Sequence, residues 1–237
     1  MDNFMDNVKP KLKWEFNAEV ASCFDNMLQR SIPSYERMRE LTAIIGLNHL
    51  SEEGTVIDLG CSAGRSLEPF VVNGHKCFGL EISEPMRKQA CKLLASDTLS
   101  QILDWDITQR RISDHWISQY VELVLSILTI QFTPIEYRQT IISDVYSALP
   151  VGGMFIFVEK ILGNCAETND LLVETYKKEK FSHGYSEEDI RRKAKALEGV
   201  LVPVTAKWNE DMLYSAGFKN VEMFFRDLNF CGWIALK

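Results

Sequence analysis

The sequence predicts an α/β fold built on a largely parallel sheet, and three observations carry that reading. From residue 55 onward, short apolar runs of strand length alternate with longer amphipathic stretches, the pattern of repeated strand–helix–strand units. The first of these runs ends in a turn with two glycines, Asp58-Leu59-Gly60-Cys61-Ser62-Ala63-Gly64, as a strand-to-helix turn over a ligand crevice does. The last two apolar runs, 220–226 and 229–236, are separated by only two residues, which predicts an antiparallel hairpin at the sheet edge.

Two helices come first. Over 18–28, Val20, Phe24 and Met27 recur at helical spacing, with Asp25 and Gln29 among them. A second helix opens after Ile32-Pro33, takes Ser34 as its cap and runs over 35–45. Together they form a helical lid within residues 1–50. Strands are expected over 55–59, 76–81, 99–104, 121–126 and 153–159, with helices near 64–72, 84–95 and 135–148. The last of these helices is closed by Leu149-Pro150-Val151-Gly152-Gly153, whose proline and glycines stop a helix and turn the chain. A helical insertion follows over 165–200. Within it, Ser186-Glu187-Glu188-Asp189 fits the capping pattern of a helix start. One more helix, 209–216, ends at Gly217 before the hairpin. No internal repeat, low-complexity tract or linker interrupts the 237 residues, which read as a single domain.

Composition narrows the function classes. With 46% hydrophobic and 11% aromatic residues there is material for a packed core. The net charge of −7 and the lack of a dense Lys/Arg run argue against a tight, sequence-independent grip on nucleic acid. Six widely separated cysteines form no C-x-x-C pair or zinc spacing and read as reduced thiols in the cytoplasm, with no metal expected. The first 16 residues carry acidic groups and no apolar run, unlike a signal peptide. The longest strongly apolar run, 123–130, is too short to span a bilayer. A cytoplasmic protein that acts on a small molecule, away from membranes and without direct nucleic-acid contact, is the expectation.

The glycine turn lets backbone approach a ligand closely. It is not a Walker loop, since Arg65 follows Gly64 and the glycine spacing differs, and it lacks the three glycines of a dinucleotide fingerprint. The second strand ends at Glu81, a carboxylate placed to accept hydrogen bonds from both hydroxyls of a ribose. The third ends in Asp104-Trp105-Asp106-Ile107, where an acid can receive an adenine amino group and Ile107 can pack on the ring. A glycine turn, a ribose acid and an adenine acid at successive strand ends describe S-adenosyl-L-methionine (SAM) better than a phosphate-bearing cofactor.

With these residues in place, VIDLGCSAG (56–64), Glu81 and LPVGGMFIFVE (149–159) resemble the motifs of the class I SAM-dependent methyltransferases. That resemblance implies a Rossmann-like fold with a seven-stranded, mostly parallel sheet, the C-terminal hairpin and the N-terminal lid. It also implies a cofactor site at Tyr35, Asp58, Gly60, Cys61, Ser62, Gly64, Glu81, Ile82, Asp106, Ile107, Ser126 and Ile127, with Tyr35 at the methionine end of SAM.

Less generic stretches are similar to one branch of that superfamily, the carboxy-SAM synthases: residues 14–35, DLGCSAG, LTIQF (128–132), VEK (158–160), HGYSEEDI with KALEGVL (183–190 and 195–201), and the ending from Ala216. The resemblance implies a homodimer that makes carboxy-SAM from SAM and prephenate for wobble-uridine modification of tRNA. Two positions depart from it. The branch carries a carboxylate-clamping arginine a few residues before the A-G-F, where this sequence has Met212, and an asparagine where this sequence has Ile127. A charge-assisted guanidinium contact contributes about 1.5–3 kcal/mol, whereas methionine offers no donor, and Glu210 and Asp211 repel an anion. Lys207 or a partner's arginine could replace the clamp. The first reading is therefore a SAM-dependent methyltransferase acting on a small-molecule acceptor. The alternatives are a carboxy-SAM synthase and a non-catalytic SAM-binding protein. Candidates to position or deprotonate an acceptor are Glu159, Lys160, His183 and Tyr185, with Trp208 at the same pocket. Glu159 and Lys160 can equally pair with each other, and His183 can sit on an exposed turn.

Overall fold

The computed structural model describes residues 13–95, 97–116 and 120–237. Residues 1–12 of the expected lid lie outside this range. Helix α1 (Ala18–Ser31) starts at Asn17, whose side-chain oxygen accepts a hydrogen bond from the Val20 amide, and α2 (Tyr35–His49) follows after a short break. Ser34 does not cap α2. It sits at φ 48°, in the left-handed region, and makes no capping bond; its hydroxyl donates instead to Asp227 Oδ2 at 2.6 Å, in the C-terminal hairpin.

The sheet then builds as alternating strands and helices: β1 (Thr55–Leu59), α3 (Glu68–Val72), β2 (Cys77–Glu81), α4 (Glu84–Leu93), β3 (Gln101–Asp104), α5 (Ser113–Trp116), β4 (Val121–Ile127), α6 (Ile135–Ala148) and β5 (Met154–Leu162). Strand order is β3-β2-β1-β4-β5, all parallel. The antiparallel hairpin β7 (Asn220–Asp227) and β8 (Phe230–Leu236) adds to β5 through β8. The seven-stranded sheet with its terminal hairpin is thus as expected. A two-residue strand, β6 (Val204–Thr205), extends it by pairing with the end of β5, a bridge too short for periodicity to reveal.

The insertion is two helices, α7 (Ala166–Ser182) and α8 (Glu187–Leu197), broken at Gly184 with φ 85°. The α8 capping box is present: Ser186 Oγ accepts from the Asp189 amide and the Asp189 carboxylate accepts from the Ser186 amide. Helix α9 (Ala206–Ala216) begins three residues before the expected 209, because the Thr205 side chain accepts from the Trp208 amide and starts the helix early. Helix α3 begins later than 64, since Gly64 at φ 82° and the turn after it precede the first helical residue.

Strands buried on both faces explain the near-continuous apolar runs of β1 and β4. On one face Phe155, Phe157 and Trp233 cluster with Phe218, Ile142 of α6 and Leu213 of α9, and on the other Leu123 and Ile156 cluster with Met38 of α2 and Phe70 of α3. A third cluster, Trp14, Phe24, Met27 and Met86, seats α1 on α4 and reaches Ala196 of α8. This places α1 and the insertion over the carboxyl ends of the strands. Among the described residues no helix is long and apolar enough to cross a membrane.

Candidate functional site

A cavity of about 850 Å³ opens at those strand ends, roofed by α1, the start of α2, and α7 and α8. That volume suits a cofactor-sized ligand with room for a second small molecule. At its floor the chain leaves β1 through Gly60 (φ 67°) and Ser62 (φ 48°). A Cβ at Gly60 would lie 2.4 Å from Thr129 Cγ2, so the turn is tucked under the β4 loop in a way only glycine permits. Glu81 at the tip of β2 ties this turn to the next loop: its carboxylate accepts from the Ser62 amide (3.0 Å) and the Ser83 amide (2.7 Å). Burial pushes the Glu81 carboxyl above its ordinary range, and these amide donors pull it back. At the end of β3, Asp106 Oδ1 accepts from the Thr108 amide and hydroxyl (2.8 and 2.7 Å), a self-capped turn that fixes its carboxylate at the cavity wall.

Tyr35, Gly60, Cys61, Ser62, Glu81, Ile82, Asp106, Ile107, Ile127 and Lys160 all line this cavity. Other expected site residues lie elsewhere. Asp58 is buried beneath the turn with Oδ1 lacking a hydrogen-bond partner, and burial, aided by Glu81, pushes its carboxyl well above the usual range. Ser126 is also buried, its hydroxyl without a partner. Gly64 faces Ala90 of α4, where a Cβ would approach to 3.1 Å, so its position serves helix packing. Trp208 is 48% exposed on the outer side of α9.

Of the acid–base candidates, Glu159 is buried within the fold. It accepts from the Ile130 amide at 3.0 Å, and burial raises its carboxyl to about 8, opposed by the nearby Arg138 charge. It makes no ion pair with Lys160, because consecutive strand residues point to opposite faces. His183 is exposed at the end of α7, with Nδ1 3.2 Å from the Arg30 carbonyl oxygen. The Tyr185 hydroxyl lies 2.9 Å from Ser31 Oγ. Lys207 does not replace a clamp: it is exposed and bonded to Asp211 at 2.7 Å. Met212 packs in the core beside α6 and is 6% exposed, while Glu210 accepts from Trp233 Nε1 at 3.0 Å.

The structure also assembles a group that sequence spacing could not show. Lys160 from β5, Lys180 from α7 and Lys193 from α8 all line the cavity. Lys160 and Lys180 share the ring of Tyr176, at 4.8 and 4.1 Å from its centroid. Lys193 donates to Ser31 Oγ at 2.9 Å and lies 5.6 Å from the Trp14 ring. Among the described residues none of the three has a carboxylate within ion-pair distance. Burial lowers Lys160 to about 8; burial and the other two ammoniums lower Lys180 to about 6; burial first, then charges including Lys160, lowers Lys193 to about 7. Cation–π contact contributes roughly 0.5–2 kcal/mol per pair, against several kcal/mol to bury an ammonium. The cluster therefore costs stability when no anion is present.

That cost has a pH signature. A lysine depressed in the folded chain binds fewer protons than it does unfolded, so stability rises with pH between the folded value and 10.5. Glu159 acts oppositely between 4.5 and about 8, and so do the raised carboxyls of Asp58 and Glu81 above their ordinary range. The thermal midpoint of the unliganded protein is expected to rise from about pH 7 to about pH 8.5, and Lys193→Met to flatten that rise. Equal slopes for the two proteins would contradict the assignment.

A doubly covered parallel sheet with a C-terminal antiparallel hairpin and an acidic strand tip beside a glycine turn defines a class, the Rossmann-like SAM-dependent methyltransferases. The methyltransferase-domain family matches residues 57–157. A solved structure described as a SAM-dependent methyltransferase from Methanococcus maripaludis has a TM-score of 0.62 at 20% identity, covering 96% of both chains. Another, from Thermotoga maritima, has a TM-score of 0.60 at 17% identity over 94% of this chain and 99% of its own. These two likenesses establish the fold.

Full-length relatives establish the branch. Carboxy-S-adenosyl-L-methionine synthases from Wolinella succinogenes and Campylobacter fetus are 37% and 36% identical over 96% of this chain, and cover 95% and 96% of their own lengths. The one from Nautilia profundicola is 33% identical over the whole of both chains. The chain belongs to the carboxy-S-adenosyl-L-methionine synthase family, and it is a SAM-using transferase of the methyltransferase superfamily.

Proposed function

We propose that the protein makes carboxy-SAM from SAM and prephenate. The observation that carries this reading is the charge of the cavity: beyond the glycine turn it contains three recessed ammonium groups without carboxylate partners among the described residues, where a carboxylated co-substrate and product need positive charge. The arginine missing at Met212 would then be replaced by lysines from β5 and the insertion. The reaction balances as SAM plus prephenate giving carboxy-SAM, phenylpyruvate and water. A carboxyl group leaves the prephenate ring for the sulfonium-bound carbon, and the proton displaced there leaves with the prephenate hydroxyl as water.

The cavity's residues fit SAM, which supplies a sulfonium-activated methyl group. In this reading Glu81 accepts from the ribose hydroxyls and Asp106 from the adenine amino group, while Ile82 and Ile107 pack on the ring. The Gly60–Ser62 backbone and Tyr35, which line the cavity, would hold the methionine portion. Asp58 and Ser126 are buried outside the cavity lining, and Ile127 lines it. The roof of α1, α7 and α8 excludes water from that end. As in the resembling branch, the working unit is proposed to be a homodimer, which light scattering would test by returning the mass of two chains.

A second reading, methyl transfer from SAM to an anionic small molecule, is favoured by Met212 and Ile127, which depart from the branch at two positions. One experiment separates the two. Mass spectrometry of ligand released from purified protein, and of the products after incubation with SAM and prephenate, is expected to find carboxy-SAM. Plain SAM or S-adenosylhomocysteine in both samples would reject the first reading in favour of the second.

A further inference from the structure

We infer that Glu159 is a positioning residue for the reaction: from outside the cavity its carboxylate holds the loop after β4, and so fixes where that loop's side chains meet the reactants. The inference rests on the carboxy-SAM reading only for the reaction whose rate the loop governs. Glu159 is buried on β5 and does not line the cavity, whereas the next residue, Lys160, does. Its Oε1 accepts from the Ile130 amide at 3.0 Å. Burial raises its carboxyl to about 8, while the Arg138 charge and the amides of Gln131, Ile130 and Thr129 favour the charged form. Those three amides open a single 3-10 turn, Ile130–Phe132. Arg138 of α6, only 2% exposed, takes the other end: its guanidinium donates to the carbonyl oxygens of Gln131 (3.1 Å) and Thr133 (3.0 Å). Negative charge thus meets the turn's amides and positive charge its carbonyls, as the dipole of the turn requires.

What is held in this way is a strained stretch. Leu128 sits at φ 60°, in the left-handed region that a non-glycine residue seldom adopts. The buried Gln131 side chain spans from it to β5: Nε2 donates to the Leu128 carbonyl oxygen at 3.3 Å, and Oε1 accepts from the Lys160 amide at 2.8 Å. Leu128, Gln131 and Phe132 line the cavity. Phe132 meets Phe16 edge-on at 5.2 Å, and Phe16 meets Phe24 of α1 at 5.9 Å, so the loop also seats the lid. The Gln131 carbonyl oxygen accepts as well from the Val202 amide at 2.9 Å, where the chain leaves the insertion. The ionisable groups facing Glu159 are Arg138 on α6 and Cys231, its register partner on β8; Lys160 points to the opposite face of β5. Since the charged carboxylate grips amides more strongly than the neutral acid, the loop tightens as pH rises through the ionisation of Glu159.

The test compares the wild-type chain with Glu159→Gln, which keeps the side chain's shape and one acceptor oxygen but not its charge. At about pH 9, with SAM and prephenate as substrates, the variant is expected to form carboxy-SAM with a kcat at least about tenfold lower, its KM for SAM and its urea midpoint little changed. At about pH 6.5 the wild-type carboxyl is protonated, and the two rates should converge. Hydrogen exchange at about pH 9, read by mass spectrometry, should be faster in the variant over residues 128–134 and equal over 55–64. In a Leu128→Gly background, where the left-handed backbone costs little, Glu159→Gln should lose less kcat than it does alone. A ratio of kcat values that is the same at both pH values, equal exchange over 128–134 in the two proteins, or a lowered urea midpoint with unchanged kcat would overturn the positioning role. If the wild-type protein forms no carboxy-SAM while exchange over 128–134 still differs as expected, the carboxy-SAM reading fails and the hold of Glu159 on the loop stands.

Discussion

Glu81→Ala is expected to weaken S-adenosylhomocysteine binding at least about 100-fold, some 2.7 kcal/mol, as read by calorimetry. The carboxylate sits at the tip of β2 on the cavity wall, and each charge-assisted bond to a ribose hydroxyl contributes roughly 1.5–3 kcal/mol. The same group also holds the Ser62 and Ser83 amides, so alanine removes both the ribose acceptor and the brace between two cofactor loops. Glu81→Gln keeps an oxygen acceptor and the side chain's shape, and should lose less. An alanine variant that folds and binds S-adenosylhomocysteine with unchanged affinity would remove the nucleoside site from its place at these strand ends.

The second large effect is steric. Gly60→Ala places a methyl 2.4 Å from Thr129 Cγ2 and 2.7 Å from its Oγ1, in a backbone conformation (φ 67°) that alanine rarely adopts. Left-handed backbone costs about 1–2 kcal/mol for a non-glycine residue even without a clash. Relieving the overlap must move either the turn or the β4 loop, and both border the cavity. The variant should therefore unfold at lower urea concentration and bind S-adenosylhomocysteine weakly. Adding Thr129→Ala should restore part of the stability by removing the obstructing atoms, but not the backbone cost. A single variant with wild-type urea midpoint and affinity would show that the turn is looser than its contacts indicate.

Much of this architecture was legible because each of the seven main strands has its own apolar run, and because the last two of them fold as a local hairpin. Some local details differ because side-chain bonds or single conformations set them. Thr205 starts α9 early, Gly64 delays α3, and Ser34 turns its hydroxyl away from the helix it precedes. At the site, Glu81 and Asp106 could be anticipated because a strand tip is a position in sequence. Lys160, Lys180 and Lys193 could not, since a strand and two insertion helices meet only through tertiary packing. The chain is net acidic as a whole, and that average hides the local concentration of positive charge in the cavity. The helix that carries Met212 likewise brings no cation to the cavity lining, and the available ones arrive from other segments.

The bond from Ser34 to Asp227 has a bearing on synthesis and truncation. The lid joint between α1 and α2 is fastened by the hairpin, so a feature made early in translation waits for one made 193 residues later. A fragment ending before the hairpin would keep the glycine turn and Glu81 yet lose this latch on its entrance. Shortening the C-terminus would thus be felt at the mouth of the cavity as well as at the sheet edge.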